Sequence, residues 1–203
     1  MTIRILLAAL ALSASAPAFA QAAPPPVAPA PQEDLVRVAL DTDKGRIVLA
    51  LDRGRAPLTT ANFLKYVDSG QFNGEAFYRA FKYGAGGVVQ GGINSDARKL
   101  YPPIDVEPTT RTGLANKAWT IAMANAGPGT TRSDFFIMTA DIPAFDARGA
   151  DLGFAAFGRV VEGQEVVKAI LAAPVSPTKG EGSIKGQMLE PPVKIGKAER
   201  VAD

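Results

Sequence analysis

An arginine among aromatic residues is the feature of this sequence that could carry chemistry. Arg79 stands in the run Phe77-Tyr78-Arg79-Ala80-Phe81, and in a strand Phe77, Arg79 and Phe81 would share one face. That face would be largely apolar. Its arginine therefore either serves a site or covers apolar surface with its stem while its head reaches water. The spacing alone does not separate these two interpretations.

The residue types that the chain lacks limit this chemistry. The sequence contains no histidine and no cysteine, which excludes thiol catalysis, Ser-His-Asp chemistry and the usual zinc sites. Carboxylates alone could bind calcium, but the sequence has no Asp-x-Asp-x-Asp-Gly loop. We therefore predict no metal and no cofactor, and a reaction that needs neither a nucleophile nor a proton transfer.

Three further segments could surround the arginine. Gln90 is followed by Gly91 and Gly92, a pair that indicates a bend or a close backbone approach. Residues 124–129 form a loop rich in turn residues. Phe135 and Phe136 would lie on opposite faces of a strand, so that strand is either covered on both sides or sends one ring out of the interior.

The elements that must position these residues are mostly short strands. Apolar residues alternate on both sides of a turn at 43–45, which predicts a β-hairpin. Residues 57–69 have helical spacing, with Pro57 in the first turn and Gly70 beyond the last. The other predicted elements are strands at 76–81, 88–90, 120–124, 135–139, 154–161 and 193–198, a helix at 164–171, and a loop at 174–192. Many short strands with two helices favour a closed antiparallel barrel or a sandwich.

Residues 1–20 have the pattern of a secretory signal peptide. Arg4 supplies a positive charge, residues 5–12 are apolar but too few to span a bilayer, and Ala18-Phe19-Ala20 is a small-x-small cleavage site. We predict cleavage after Ala20, and a buried N-terminal helix is the less favoured alternative. Residues 21–34 are rich in proline and alanine, which favours a semi-rigid linker over a docking motif for a proline-binding partner.

Residues 35–203 have the size of one domain. Arg4 is the only charged residue of the predicted signal peptide, so the rest of the chain has a net charge of about +1. A nearly neutral domain offers no broad electrostatic surface for nucleic acid. The chain has no second apolar run of about 20 residues, so we expect no stable membrane insertion.

Taken together, these segments resemble the cyclophilin family of peptidyl-prolyl cis-trans isomerases. The most specific piece is Met-Ala-Asn-Ala-Gly-Pro at 123–128, followed by Ser-Asp-Phe-Phe-Ile at 133–137. The runs at 77–79, 90–92 and 157–160 accompany it in the order that the family has. The resemblance covers nearly all of residues 36–201, and several motifs in one order are far more specific than a lone glycine motif.

The resemblance implies a mainly β fold, a closed eight-stranded antiparallel β-barrel capped by two α-helices, with the active groove on its outer face. It implies that Arg79 is the catalytic arginine. The substrate-binding positions that it implies are the pocket floor Phe136, the walls Val88 and Phe145, the backbone-binding segment Ala124 and Asn125, the orienting Gln90, and the flanking Phe154 and Asp134.

The sequence departs from the family's pattern at several positions. Gly87 stands where a phenylalanine of the proline pocket is usual, so one ring is missing unless Tyr83 or another side chain fills the gap. Asp134 replaces a glutamine, and when ionised it cannot donate a hydrogen bond and brings negative charge near the groove. Phe154 lacks the polar tip that is usual there, and Trp119 stands where glycine is more frequent.

The resemblance implies a peptidyl-prolyl cis-trans isomerase that forms no covalent intermediate and assists the folding of exported proteins. We expect a monomer in the periplasm of a Gram-negative bacterium, with proline-containing segments of unfolded or flexible polypeptides as partners. The alternative is a proline-recognition or chaperone module on the same fold with weak or no catalysis. Gly87 and Asp134 are the positions that favour this alternative.

Overall fold

The alternation of apolar and polar residues produces nine β-strands within residues 32–202. The computed structural model describes residues 32–202, so the predicted signal peptide and residues 21–31 of the predicted linker lie outside the described residues. The strands are β1 (Leu35–Thr42), β2 (Gly45–Asp52), β3 (Ala76–Tyr83), β4 (Gly86–Gly92), β5 (Thr120–Met123), β6 (Phe135–Met138), β7 (Ala155–Glu162), β8 (Val175–Ser176) and β9 (Met188–Arg200).

Eight of these strands form a closed barrel. Their order is β1-β2-β7-β5-β6-β4-β3-β9, and β9 pairs in turn with β1. All neighbouring pairs are antiparallel, and the two-residue β8 adds only to one end of β9. Closure leaves the barrel without a free edge, which removes the unpaired backbone groups of an open sheet. The predicted closed eight-stranded antiparallel barrel is confirmed.

Two helices pack against the barrel core, and a third consists of a single turn. They are α1 (Pro57–Asp68), α2 (Thr109–Thr112) and α3 (Gln164–Leu171). Pro57 opens α1, and Gly70 follows its end with φ of +68°, a conformation that glycine adopts without strain. Buried Glu107 accepts a hydrogen bond from the backbone N–H of Thr59 at 2.6 Å and so places an acceptor at the start of α1. Within residues 32–202 no helix has the length and apolar character needed to cross a bilayer.

The wall of the barrel separates two apolar clusters, as β6 shows. Phe135 belongs to the main core, and its ring contacts those of Phe63, Phe72 and Phe77 at centroid distances of 5.4–5.6 Å. Phe136 belongs to a second cluster on the other face of the strand. Both rings are buried, so the strand is covered on both sides.

The last strand begins earlier than the sequence predicts. Residues 188–192 were expected to belong to a loop, yet β9 starts at Met188. Met188 pairs with Arg79 and Val193 pairs with Phe77, so this stretch of β9 is irregular. Its prolines at 191 and 192 are exposed, where a residue that cannot donate to the ladder is tolerated.

Candidate active site

An irregularity in β3 decides which side chains reach the outer face of the barrel. The register between β3 and β4 shifts between Phe77 and Arg79, so Tyr78 is an extra residue without a partner in β4. The extra residue breaks the alternation of the strand. Phe77 lies in the main core, whereas Arg79 and Phe81 line an outer cavity. The prediction that Phe77 shares a face with these two residues is therefore wrong.

The outer cavity has a volume of about 380 Å³ and lies over strands β3, β4 and β6. The structure brings eight of the nine predicted site residues together there: Arg79, Val88, Gln90, Ala124, Asn125, Phe136, Phe145 and Phe154. Phe81 and Tyr83 complete the lining. The ninth residue, Asp134, lies in an adjoining hollow of about 250 Å³ that shares Gln90, Ala124 and Asn125 with the cavity.

Three phenylalanines form an aromatic corner of the cavity. The rings of Phe136 and Phe154 are 5.2 Å apart, those of Phe136 and Phe145 are 5.4 Å apart, and Phe145 and Phe154 are 4.9 Å apart. All three pairs meet edge to face, an arrangement that aromatic rings favour. Gly153 allows this packing, because a Cβ there would lie 2.4 Å from the carbonyl oxygen of Phe145.

The geometry at Gly87 differs from the expectation that a missing ring loosens the pocket there. A Cβ at this position would lie 2.7 Å from Cδ1 of Leu171 in α3 and 2.3 Å from the carbonyl oxygen of Phe81. Position 87 thus faces α3 and not the cavity, and only glycine fits it. The rings at that end of the cavity come from Phe81 and Tyr83, and the ring of Tyr83 is 6.4 Å from that of Phe145.

The guanidinium of Arg79 is held from two sides. Its Nη1 donates to Oε1 of Gln90 at 2.9 Å, and its Nε and Nη2 donate to Oε1 of Gln187 at 2.9 and 2.6 Å. It also stacks over the ring of Phe81 at 4.6 Å. Burial lowers the pKa of Arg79, yet guanidinium remains charged at neutral pH. None of the ion pairs within residues 32–202 includes Arg79.

The hydrogen bonds of Arg79 leave part of its donor capacity free. Guanidinium has five N–H groups. Three are used, so one N–H on Nη1 and one on Nη2 have no partner within residues 32–202. These two groups are available to a molecule in the cavity.

A chain of hydrogen bonds extends from Arg79 through Gln90 to Asp134. Nε2 of Gln90 donates to the hydroxyl of Tyr78 at 2.8 Å, and this hydroxyl donates to Oδ1 of Asp134 at 2.5 Å. Because guanidinium can only donate, Oε1 of Gln90 faces Arg79 and its Nε2 faces the hydroxyl of Tyr78, which fixes the orientation of the Gln90 amide. Burial raises the pKa of Tyr78 and also that of Asp134, where the bond from Tyr78 acts in the opposite direction.

Two residues of this arrangement were not predicted as site residues. Tyr78 stands in a motif of the sequence, but strict alternation places it on the opposite face from Arg79. Gln187 lies in the segment that the sequence assigns to a loop, 108 residues from Arg79. No periodic pattern marks it.

The loop after β5 contributes Ala124 and Asn125 to the lining of the cavity. The side chain of Asn125 is fixed, because it donates to the carbonyl oxygen of Gly153 at 3.1 Å and accepts from the N–H of Gly127 at 3.0 Å. The backbone N–H and C=O of Asn125 have no hydrogen-bond partner in the described part of the chain. They can therefore pair with the backbone of a bound peptide.

The cavity thus combines an apolar lining, unpaired backbone groups on one lining residue and one cation with unused donors. Such a site can hold an apolar ring and donate a hydrogen bond to a polar atom beside it. Across residues 32–202 no group of three or more acidic side chains forms a candidate metal site.

Sequence comparisons agree with this arrangement. The profile of the family described as cyclophilin type peptidyl-prolyl cis-trans isomerase/CLD matches residues 36–200. Peptidyl-prolyl cis-trans isomerase A of Dickeya dadantii is 38% identical over 175 residues, which cover 84% of this chain and 85% of that protein. A peptidyl-prolyl cis-trans isomerase of Streptomyces antibioticus is 34% identical over 155 residues, or 74% of this chain and 92% of that protein.

Structural comparison gives the same fold. A cyclophilin type peptidyl-prolyl cis-trans isomerase of Cryptosporidium parvum has a TM-score of 0.69 and 20% identity, covering 84% of this chain and 99% of that one. Its structure in the presence of the dipeptide Ala-Pro has a TM-score of 0.67 and 21% identity, covering 82% and 99%. Since the family profile spans the barrel and bacterial isomerases match most of the sequence, the chain belongs to the cyclophilin-type peptidyl-prolyl cis-trans isomerases, a family of enzymes.

Proposed function

We propose that this isomerase acts on X-Pro bonds of exported polypeptides and that Arg79 is its catalytic residue. One observation carries the assignment of Arg79. Its guanidinium stands at an apolar cavity, is held by uncharged partners, and has two N–H groups without a partner in the described residues. A proline ring fits such a cavity, and its nitrogen would then lie beside the cation.

The chemical task is to weaken a partial double bond. Rotation about a peptide bond has a barrier of about 18–20 kcal/mol, because the nitrogen lone pair delocalises into the carbonyl. Exchange at X-Pro bonds therefore takes on the order of tens to hundreds of seconds without a catalyst. Lowering the barrier by about 5–7 kcal/mol would accelerate it by roughly four to five orders of magnitude.

Arg79 lowers the barrier by binding the twisted amide more strongly than either planar isomer. In the twisted state the lone pair is localised on the prolyl nitrogen and accepts a hydrogen bond from a free N–H of Arg79. The planar isomers offer no such acceptor, so the bond stabilises the transition state selectively. No bond to the enzyme forms and no proton is transferred.

The other residues of the cavity hold the substrate while it rotates. Phe136 and Val88 pack against the proline ring, and the free backbone groups of Asn125 bind the residue that precedes proline. One end of the amide is thereby anchored and the other can turn. Gln90 keeps Arg79 aimed at the prolyl nitrogen.

Export of the chain is part of the proposal. Its support is the order of a positive charge, a short apolar run and a small-x-small site in residues 1–20, followed by a proline-rich segment. A periplasmic isomerase would meet polypeptides that arrive unfolded after translocation, and flexible X-Pro segments are the substrates that the open cavity accepts.

Replacing Arg79 tests the catalytic assignment. We expect Arg79→Ala to lower kcat/KM by about 10²- to 10³-fold, the usual loss when one transition-state donor is removed. The rate is measured as acceleration of a proline-limited refolding reaction. Arg98→Ala is the matched control, because this arginine is 91% exposed and, among residues 32–202, pairs only with Asp96.

The outcomes separate the assignments. Equal rates for Arg79→Ala and the unmutated enzyme would reject Arg79 as the catalytic residue. An unmutated protein that binds an Ala-Pro peptide without accelerating refolding would instead support the proline-recognition module. Unchanged melting temperatures for both variants show that the fold is intact.

A further inference from the structure

We propose that Gln187 is a positioning residue for Arg79, and that the conformation of the loop before β9 places Gln187 against the guanidinium. The inference rests on the proposed function, since it concerns how the catalytic guanidinium is aimed. This proposal gives the loop between α3 and β9 a role in the reaction in addition to its role as a connection.

Gln187 makes more hydrogen bonds to Arg79 than Gln90 does. Its Oε1 accepts from Nε at 2.9 Å and from Nη2 at 2.6 Å, whereas Gln90 accepts one bond from Nη1 at 2.9 Å. Nε joins the guanidinium to the rest of the side chain, and Nη2 is one of its two ends. The two bonds to Gln187 therefore limit rotation of the guanidinium group. Gln90 alone fixes one nitrogen at the far end.

The amide of Gln187 is itself anchored. Its Nε2 donates to the carbonyl oxygen of Ser183 at 2.8 Å, which fixes Oε1 as the atom that faces Arg79. Its backbone N–H donates to the carbonyl oxygen of Ile184 at 3.1 Å, and its carbonyl oxygen accepts from the backbone N–H of Ala80 at 2.9 Å. The last of these bonds ties Gln187 to the residue that follows Arg79 in β3.

The loop that carries Gln187 is built by its own short-range contacts. A single turn of 3-10 helix at Gly182–Ile184 supplies the Ser183 carbonyl, and the N–H of Gly186 donates to Lys179 at 3.0 Å. Gly180 and Gly186 have φ of +88° and +80°, values that residues with a side chain rarely adopt. The backbone is therefore shaped to deliver one amide to Arg79.

The physical consequence concerns geometry, because both partners of Arg79 are neutral. Without Gln187 the guanidinium keeps Gln90 and the ring of Phe81, but it gains freedom to turn its free N–H groups away from the prolyl nitrogen. Catalysis by a directional donor depends on orientation, and small misplacements are costly. Substrate binding uses other groups, so it should not change.

The test compares Gln187→Met with Gln164→Met. Methionine keeps the length of the side chain and removes the acceptor, and Gln164 makes no side-chain hydrogen bond in the described part of the chain. We expect Gln187→Met to lower kcat by about 10-fold with an unchanged Kd for an Ala-Pro peptide, and Gln164→Met to change neither. In NMR spectra the Arg79 Nε–H, assigned by its loss in Arg79→Ala, should exchange with solvent faster in Gln187→Met.

Each result decides the question. A kcat equal to that of the unmutated enzyme, or unchanged exchange of the Arg79 Nε–H, overturns the role of Gln187 and leaves Arg79 untouched. Parallel losses of kcat, peptide affinity and melting temperature would show a merely structural role and also overturn it. If the unmutated protein accelerates no refolding, the proposed function fails, and the Gln187 inference falls with it whatever the exchange data show.

Discussion

At the scale of single residues, the hydrogen-bond partners of Arg79 orient its guanidinium without neutralising its positive charge. Gln90 and Gln187 orient the guanidinium through amide oxygens, which accept hydrogen bonds without adding a negative charge. A carboxylate at either place would orient the group as well, but it would pair with the cation and compete with a substrate atom for it. The site therefore obtains orientation and an unneutralised donor together.

The carboxyl group of Asp134 predicts a dependence of stability on pH. Burial raises the pKa of Asp134 above its ordinary value near 4. The folded state thus favours the protonated form, so this group's contribution to stability is fully present below the ordinary pKa and is lost as the pH rises through the raised value. Asp134→Asn lacks this titration and keeps an oxygen that can accept from Tyr78. We expect its melting temperature, relative to that of the unmutated protein, to rise between about pH 3.5 and pH 7.

The control for this prediction is Asp105→Asn. Asp105 is exposed and makes no side-chain hydrogen bond in the described part of the chain, so its replacement reports the effect of an Asp-to-Asn substitution outside the site. Unfolding is followed by the fluorescence of Trp119, the single tryptophan of the chain. A constant difference between Asp134→Asn and the unmutated protein across this pH range would contradict the prediction.

The sequence predicts the residues of the cavity better than it predicts their connections. Arg79, Gln90 and Phe136 stand in motifs whose order is recognisable without a structure. Gln187 could not be predicted, because its contact with Arg79 joins positions 108 residues apart and no motif marks it. The hydrogen bonds of Tyr78 could not be predicted because of the register shift. Regular alternation would place its neighbours Phe77 and Arg79 on one face, and the shift separates them.

At the scale of elements, β6 serves the core with one face and the site with the other. This division predicts different effects for neighbouring phenylalanines. We expect Phe135→Leu to lower the free energy of unfolding by about 0.5–3 kcal/mol without changing kcat/KM, because its ring packs in the main core. We expect Phe136→Leu to weaken the binding of an Ala-Pro peptide by about 10-fold, because its ring lines the cavity.

Urea unfolding and peptide titration separate the two effects. The pair forms its own control, since the same substitution is made at adjacent positions of one strand. Peptide binding that weakens equally in both variants would show that the two faces are not independent. It would also contradict the assignment of Phe136 to the pocket floor.

The irregularities of β3 and β9 lie opposite each other, and they mark where pattern-based prediction fails. Arg79 pairs with Met188, and the shift of register occurs in both strands at this level. A strict period of two assumes an undisturbed ladder, and the prolines of β9 indicate a loop by their lack of an N–H. Irregular pairing allows Arg79 to face outward and allows the loop to reach it with Gln187.

At the scale of the whole molecule, closure of the barrel depends on pairing between the two ends of the domain. β1 pairs with β9 from Val38 with Arg200 to Thr42 with Ile195. Periodicity predicts that both segments are strands, but it holds no information about partners so far apart. For this reason the residues alone left barrel and sandwich open, and the resemblance to a family was needed to choose.

The chain enters the barrel at a defined place. Glu33 pairs with Arg55 at 3.1 Å and with Arg159 at 2.9 Å, and Asp34 pairs with Arg53 at 2.8 Å. These contacts tie the last residues of the predicted linker to β7 and to the turn between β2 and α1.

The proposed export of the chain predicts a cleaved product in the periplasm. When the full chain is produced in a Gram-negative bacterium, we expect cleavage after Ala20 and a periplasmic product that begins at Gln21. Intact-mass measurement of the periplasmic fraction checks the cleavage site. Leu6→Arg, which places a charge in the apolar run, should leave the uncleaved chain in the cytoplasm, because a charge there is costly to insert into the membrane. Thr2→Ser is the matched control and should be processed normally. An unmutated chain that stays uncleaved in the cytoplasm would contradict export and would redirect the search for substrates to cytoplasmic polypeptides.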